Sequence, residues 1–236
     1  MSERFYASCA LEPGPVELEG PEAHHLAAVC RLRPGDAVCL FNGDGADYPG
    51  VVLNVAKKYV TLDIHERRPV DRELPFPLEI AVSVPKGDRA QVLIEKLTEL
   101  GVTAFVPLIC QRTVIHPKEG TLEKLQRYVI EASKQCGRNV LMRIETPRTW
   151  EKYASPQEDE VRLFAHPGIE GGVAKSEPRN RTRCVIGPEG GFTAEEVEFA
   201  RVHGWLGVDL GPRILRMETA ALAMAMRVTL FGTRNS

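Results

Sequence analysis

The segment from Val185 to Glu196, VIGPEGGFTAEE, constrains the fold more than any other part of the sequence. An apolar strand runs into a turn with three glycines, and a helix follows because Thr193 and Glu196 have the spacing of a capping box. Glycines in such a turn allow backbone N–H groups to approach a ligand closely, and the start of a helix favours negative groups. A tight turn without any ligand explains the same residues equally well.

A second strand-to-helix segment, LGPRILRMETAALA, begins at Leu210. Its Gly-Pro turn precedes Arg213, Arg216 and Glu218, and residues 220–231 form a helix that is apolar almost all round. Such a helix must be buried on more than one side, in a core or a subunit interface. The arginines are explained either by surface ion pairs with Glu218 or by a site that handles an anion. Neither segment is G-x-G-x-x-G or a Walker A motif, which disfavours dehydrogenases and NTPases.

The chain changes its hydrophobic period near residue 70. Before that point, turn residues separate short β-rich runs, and one short helix is predicted to begin near Glu22. The turn Asn42-Gly43-Asp44-Gly45 is typical of a hairpin. We therefore predict a small barrel over residues 1–70, and a linker over residues 71–77 because prolines and charges dominate there. The predicted strands of this part are 4–7, 37–41, 50–55 and 59–64.

After residue 77, strand patterns alternate with amphipathic helices, which predicts a parallel sheet covered on both faces. The helices are expected over residues 88–100, with Asp88 as the N-cap, and over residues 121–136. Topology rules alone favour an ordinary open α/β sheet here. The predicted strands are 78–84, 102–107, 161–165, 182–186 and 208–210.

Bulk properties exclude several classes of protein. A net charge of -2 argues against wrapping long duplex nucleic acid, although local basic faces remain possible. The six cysteines form no C-x-x-C pair and none has zinc-ligand spacing, so we expect reduced thiols and no metal. The N-terminus lacks a signal peptide, and the longest apolar stretch is interrupted by Arg227, so we expect a soluble cytoplasmic protein. Three clusters of basic residues are most simply explained as solvated surface segments. They are Arg67, Arg68 and Arg72; Arg179, Arg181 and Arg183; and Lys134, Arg138 and Arg143.

The pair GPEGGFTAEEVE and LGPRILRMETAALA resembles the signature of the RsmE family, the 16S rRNA (uridine-N3) methyltransferases of the SPOUT superfamily. HHLAAVCRLRPGDAVCLFNGDG is similar to the PUA-like barrel of that family. PKGDRAQVLIEKLTELGVTAFVPL and EASKQCGRNV resemble its two central motifs, so the likeness covers nearly the whole chain. Two departures are Met217, where the family usually has a threonine, and Cys110-Gln111-Arg112-Thr113, where it often has Glu-Arg-Ser.

The resemblance implies an α/β fold with two parts. A PUA-like β-barrel would occupy residues 1–70, and a SPOUT methyltransferase domain with a C-terminal trefoil knot would occupy residues 78–236. The knot loops would hold S-adenosylmethionine in a bent pose, and the apolar terminal helix would pack in a homodimer. The residues that match the cofactor loops are Gly187, Glu189, Gly190, Gly191, Leu210, Gly211, Ile214 and Leu215.

Methylation at uridine N3 sets chemical demands that single out a few residues. The base must be unpaired, and cationic donors must stabilise the charge that accumulates on O2 and O4. Arg213 and Arg216 are the candidate donors, and Glu218 would orient an arginine or act as the base. We expect no catalytic part for His24 or His25, which fit a structural or RNA-facing pair. The candidate RNA-binding residues are Arg31, Arg33 and Arg138.

Two other functions remain open at this stage. The chain could be a nonenzymatic RNA-binding factor for ribosome assembly, in which the glycine turns are purely structural. It could also be a SPOUT methyltransferase that acts on another nucleoside of rRNA or tRNA. A uridine in a structured helix of the decoding region favours the assembled small subunit over free rRNA as the substrate.

Overall fold

The structure, a computed structural model, describes residues 3–168 and 181–232, so Arg179 of the second arginine cluster lies outside the described residues. The chain forms two compact units. The first consists of Met1–Glu73 with Ser133–Leu141, and the second of Leu74–Ala132 with Met142–Ser236. The short segment around Asn139 is thus separated in sequence from the rest of its own unit.

The first unit is built on one mostly antiparallel sheet with the strand order β1-β3-β4-β5-β2, and β6 pairs with β4. Only the β1–β3 pair is parallel among the described strands of this sheet. A helix, α1, continues into a π-helical turn at His25–Val29, and the fully buried Leu26 of that turn packs into the core. The elements are β1 Glu3–Tyr6, β2 Gly14–Glu19, α1 Gly20–His24, β3 Ala37–Phe41, β4 Ala46–Val55, β5 Tyr59–Ile64 and β6 Arg68–Pro69.

The second unit contains a sheet in which every described pairing is parallel, with the strand order β10-β8-β7-β12-β11-β13 and β9 beside β8. This confirms the predicted α/β class and parallel sheet. The strands are β7 Leu78–Val82, β8 Ala104–Ile109, β9 Arg143–Ile144, β10 Arg148–Thr149, β11 Val161–Ala165, β12 Thr182–Ile186 and β13 Leu206–Val208. The helices are α2 Asp88–Glu99, α3 Glu119–Cys136, α4 Trp150–Ala154, α5 Ala194–Val202 and α6 Met217–Gly232.

The apolar terminal helix α6 packs against α2 and against the two central strands β7 and β12. This placement explains why its sequence is apolar on several sides, since most of its surface faces protein. Within the described ranges, none of the helices has the length and apolar character that crossing a bilayer requires. The trefoil knot expected from the resemblance stays a prediction.

The ends of three elements test two predicted helix caps and the bounds of the last strand, which was predicted over residues 208–210. The capping box is confirmed, because Thr193 Oγ1 accepts from Glu196 N at 3.3 Å and Glu196 Oε2 accepts from Thr193 N at 2.8 Å. The Asp88 cap is wrong: Gly87, with φ of 62°, is the N-cap, and Asp88 is already helical. The last strand ends at Val208, because Asp209 Oδ1 accepts from Gly211 N at 2.8 Å and starts a turn.

An aromatic cluster fills the core of the second unit on the side of α4 and α5. Trp150, only 1% exposed, lies at its centre, with ring centroids 5.3 Å from Trp205 and 5.7 Å from Phe192. Phe164 of β11 packs 4.5 Å from Phe192. Because Phe192 belongs to the glycine turn after β12, the aromatic core holds that turn against the sheet.

A buried ionic cluster lies near the amino end of β12. The Arg183 side chain is 1% exposed, and its Nη1 and Nε lie 3.2 Å from Glu160 Oε1 and 3.4 Å from Glu79 Oε1. Its guanidinium also stacks 4.1 Å from the centre of the Tyr153 ring. Charges removed from water in this way are tolerated only when partners compensate for the lost hydration.

We predict that Arg183→Ala lowers the free energy of unfolding by about 3 kcal/mol, because the buried Glu79 and Glu160 would lose their central cation and keep only the more exposed Arg181 and Arg162 as partners. Urea denaturation of the two proteins measures the difference. The matched control is Arg201→Ala, because Arg201 is 74% exposed and pairs with Glu198 on the surface of α5. That variant should stay within about 0.5 kcal/mol of the wild type. An equal effect of the two substitutions would contradict the stabilising part given to the buried cluster.

Candidate functional site

A cavity of about 770 Å³ opens at the carboxyl edge of the parallel sheet in the second unit. The loops that follow β11, β12 and β13 form its walls, and Arg89 and Arg112, which follow β7 and β8, complete it. Ligands of open α/β sheets bind outside the carboxyl ends of the strands, and pockets of this volume suit a small molecule. The cavity is therefore the candidate functional site of the chain.

The first wall is the glycine turn after β12. A Cβ atom on Gly187 would lie 2.9 Å from two atoms of the Phe192 ring, which is closer than real contacts allow. Gly191 has φ of 68°, which other residues adopt only with strain. Gly191 N donates to Pro188 O at 2.8 Å and closes the turn. The turn therefore has a structural need for glycine, and the same residues also line the cavity.

The second wall is the loop between β13 and α6. It begins with the turn at Asp209 and continues through Gly211, whose φ is 109°. Ile214 is 94% exposed although it is a large apolar residue at the cavity. The structure thus brings together at one cavity all the residues predicted from the cofactor loops: Gly187, Glu189, Gly190, Gly191, Leu210, Gly211, Ile214 and Leu215.

The three predicted catalytic residues occupy different surroundings. Arg213 and Arg216 line the cavity with exposed side chains, and neither makes an ion pair within the described part of the chain. The predicted alternative of surface ion pairs with Glu218 is therefore wrong. Glu218, in the first turn of α6, is 8% exposed, and its Oε1 lies 3.6 Å from Nη1 of Arg89.

Sequence patterns missed two arginines at the site. Arg89 Nη2 lies 2.7 Å from Glu189 Oε1, and this hydrogen bond raises the pKa of Arg89, so the side chain stays charged. Arg112 Nη1 donates to Gly190 O at 2.8 Å and so ties the glycine turn to the end of β8. Both follow a buried strand at its carboxyl end, and both lie in segments that were compared with the family, PKGDRAQ and Cys110-Gln111-Arg112-Thr113, so these two signals could have revealed them.

His166, which we did not predict as a site residue from the sequence, also lines the cavity directly after β11. Its Nδ1 lies 2.8 Å from Pro167 O, and its ring stacks on Phe164 at 6.0 Å. Because a carbonyl oxygen only accepts, Nδ1 carries the hydrogen.

The buried thiol of Cys110 lies near the end of β8, and burial raises its pKa well above the usual range, so it is not an activated nucleophile.

The predicted RNA-binding arginines all belong to the first unit, but their exposure differs. Arg31 and Arg33 are exposed around the turn before β3. Arg138 is only 4% exposed, and its Nη2 lies 2.6 Å from Glu73 Oε2. A phosphate could contact Arg138 only if this ion pair broke. We therefore infer that Arg138 stabilises the fold and does not face the RNA.

No group of three or more metal-ligating side chains occurs among residues 3–168 and 181–232. The six cysteines are free thiols, and three of them are buried. The polar groups that line the cavity are backbone groups of the two loops, guanidinium groups, the His166 ring and the carboxylates of Glu189 and Asp209. Glu218 lies next to the lining residue Met217 and contacts the lining residue Arg89.

Comparisons with known proteins agree with this geometry. The model of an RNA methyltransferase domain matches residues 72–229, and the model of an RNA methyltransferase PUA domain matches residues 18–64. The chain is 34% identical to ribosomal RNA small subunit methyltransferase E of Synechocystis sp., covering 87% of this chain and 69% of that relative. It is 30% identical to the enzyme of the same name from Bacillus subtilis, covering 90% of this chain and 89% of the relative.

Solved structures show the same likeness. A protein from Legionella pneumophila, crystallised with the bound cofactor SAM, is 30% identical, with a TM-score of 0.91 over 98% of both chains. Ribosomal RNA small subunit methyltransferase E from Neisseria gonorrhoeae, bound to S-adenosyl methionine, is 29% identical, with a TM-score of 0.91 over 98% of both chains.

We predict that Gly187→Ala lowers the free energy of unfolding by about 1–3 kcal/mol, because the new methyl group meets the immobile Phe192 ring. Thermal and urea denaturation measure the loss. Gly120→Ala is the matched control, because Gly120 lies in α3 with open space around it and needs no positive φ. That variant should be as stable as the wild type or slightly more stable. A Gly187→Ala protein of unchanged stability would mean that the turn is not held as described.

Proposed function

The chain belongs to the ribosomal RNA small subunit methyltransferase E family, and on this basis we propose that it transfers the methyl group of S-adenosylmethionine to N3 of a uridine in small-subunit ribosomal RNA. One observation carries the proposal: two glycine turns that are distant in sequence meet at one cavity with Arg213 and Arg216. A turn needed only for folding would not have to lie beside a second glycine turn and beside arginines that form no ion pair within the described residues.

The residues at the cavity fit S-adenosylmethionine. The glycine turns leave backbone groups accessible to polar atoms, while Ile214 and Leu215 offer apolar surface for a purine ring. The exposed Ile214 supports this assignment, because a bound ligand would cover apolar surface that otherwise stays in water. When bound, the cofactor supplies a methyl group that its sulfonium centre activates.

Side chains of this chain would prepare the uridine for transfer. The base must leave its pairing partner before N3 becomes accessible. Arg213 and Arg216 would then donate hydrogen bonds to O2 and O4, where negative charge accumulates as N3 loses its proton. Glu218 would accept the N3–H hydrogen bond or hold an arginine in place.

The first unit would guide the RNA, with Arg31 and Arg33 as phosphate contacts. Its match to a PUA domain of RNA methyltransferases supports this assignment. We propose the assembled small subunit as the substrate and therefore the cytoplasm as the location. We also propose a homodimer, because Met226 and Leu230 on α6 are apolar and half exposed, at 50% and 55%.

The deciding experiment combines calorimetry with nucleoside analysis. Titration with S-adenosylmethionine should show stoichiometric binding, which a nonenzymatic assembly factor would lack. Small subunits and protein-free rRNA from cells without the enzyme should then be incubated with protein and cofactor, and their nucleosides analysed by mass spectrometry. N3-methyluridine should form, faster in subunits. A different methylated nucleoside would overturn the assigned specificity, and equal rates on the two substrates would overturn the preference for subunits.

We predict that Arg213→Ala and Arg216→Ala each lower kcat about a hundredfold, as loss of one donor to a developing anion does. Single-turnover methylation of small subunits measures the rate. Arg201→Ala, on the exposed face of α5, should retain the wild-type rate and controls for the lost positive charge. Rates within threefold of the wild type for both cavity variants would exclude these arginines from catalysis.

We predict that Arg31→Gln combined with Arg33→Gln weakens rRNA binding and makes the negative slope of log K against log salt less steep by about 1.4–1.8, because two phosphate contacts disappear. Filter binding at several salt concentrations measures the slope. Lys57→Gln combined with Lys58→Gln removes two exposed charges from another turn of the same unit. That control should leave the slope unchanged. Equal slopes for the two double variants would refute specific contacts by the arginine pair.

A further inference from the structure

Arg89, which lines the cavity, contacts two acidic residues: Glu189, which also lines the cavity, and Glu218, which directly follows the lining residue Met217. Its Nη2 lies 2.7 Å from Oε1 of Glu189 in the glycine turn. Its Nη1 lies 3.6 Å from Oε1 of Glu218 in the first turn of α6. One guanidinium therefore faces a carboxylate of each of the two segments that meet at the cavity.

The Glu218 carboxylate is buried and incompletely paired, and it is the buried unpaired carboxylate that lies closest in sequence to the cavity residue Met217. The residue is 8% exposed, and its Oε2 is buried without a hydrogen-bond partner in the described part of the structure. A buried acceptor that lacks a partner costs free energy, so such groups are rare and need an explanation. A ligand that donates a hydrogen bond to Oε2 would provide one.

The position of Arg89 suits a residue that holds Glu218 in place. Arg89 lies in the first turn of α2, shortly after Gly87, whose positive φ begins the helix, and α2 packs against α6. Its side chain is only 32% exposed. Its shorter contact goes to Glu189, while 3.6 Å from Glu218 is too long for a hydrogen bond but short enough for strong attraction between charges. Arg89 can therefore hold the Glu218 carboxylate by charge and still leave its oxygens free to accept.

We propose that Arg89 is a positioning residue for methyl transfer, which orients the Glu218 carboxylate so that Oε2 accepts the hydrogen bond, and then the proton, of the pyrimidine N3–H. This role rests on the proposed function. Glu189 in turn fixes the guanidinium, so the glycine turn and α6 are joined through one side chain. A simple surface ion pair would not act on turnover through Glu218, which gives the proposal its test.

The test is a double-mutant cycle in kcat on small subunits, with Arg89→Gln, Glu218→Gln and the double variant. We expect Arg89→Gln to lower kcat about tenfold to a hundredfold, as small misplacements of reacting groups do. The double variant should be no slower than Glu218→Gln alone, because both substitutions remove one function. Arg89→Lys keeps the charge and should recover part of the lost rate.

Melting temperatures and calorimetric affinities for S-adenosylmethionine are measured on each variant, so that misfolding or lost cofactor binding is separated from slower turnover. Arg201→Gln serves as the matched control on an exposed ion pair. Effects that multiply in the double variant, or an Arg89→Gln protein with a wild-type kcat, would overturn the positioning role while leaving the proposed function intact. A wild-type protein that forms no N3-methyluridine would overturn both.

Discussion

The contact between Gly187 and Phe192 is the constraint on which the rest of the site depends. Phe192 is packed among Trp150 and Phe164, so it cannot move away, and the backbone at Gly187 must pass directly over its ring. Arg112 also holds the turn in place, because its guanidinium donates a hydrogen bond to Gly190 O. The turn is therefore fixed at the carboxyl edge of the sheet before any ligand arrives, which lowers the entropy lost on binding.

Charge is used differently at the two ends of β12. Near its amino end, Arg183 is buried among Glu79 and Glu160, and the cluster compensates its own charges. Beyond its carboxyl end, across the cavity, Arg213 and Arg216 of the loop between β13 and α6 are exposed without ion pairs within the described residues, and Glu218 of α6 keeps an acceptor without a partner. The first arrangement contributes to the fold, whereas the second leaves interactions to be completed by ligands.

The sequence predicts those parts of this molecule that depend on local chemistry. The capping box at Thr193 and the strands 161–165 and 182–186 agree with the structure, and parallel topology explains why the two glycine turns meet. Contacts between residues that are distant in sequence could not be predicted from local patterns. Examples are the position of Arg89 between Glu189 and Glu218, and the burial of Arg138 against Glu73. The prediction of Asp88 as the N-cap was wrong, because a glycine with positive φ can begin a helix without a side-chain cap. The specific cofactor and nucleoside came from the family resemblance alone.

A net charge of -2 does not by itself indicate an RNA substrate, but the distribution of the charges around the cavity does. Four arginines line the cavity, Arg89, Arg112, Arg213 and Arg216, against the carboxylates of Glu189 and Asp209. Arg89 and Arg112 are engaged in holding the glycine turn, so the cationic groups that remain available are the two before α6. Bulk attraction to phosphate is weak in such a protein, and recognition must come from a few placed guanidinium groups. Selection by shape and position would then decide the substrate, which agrees with the proposal that the enzyme methylates one nucleotide in a folded ribosomal particle.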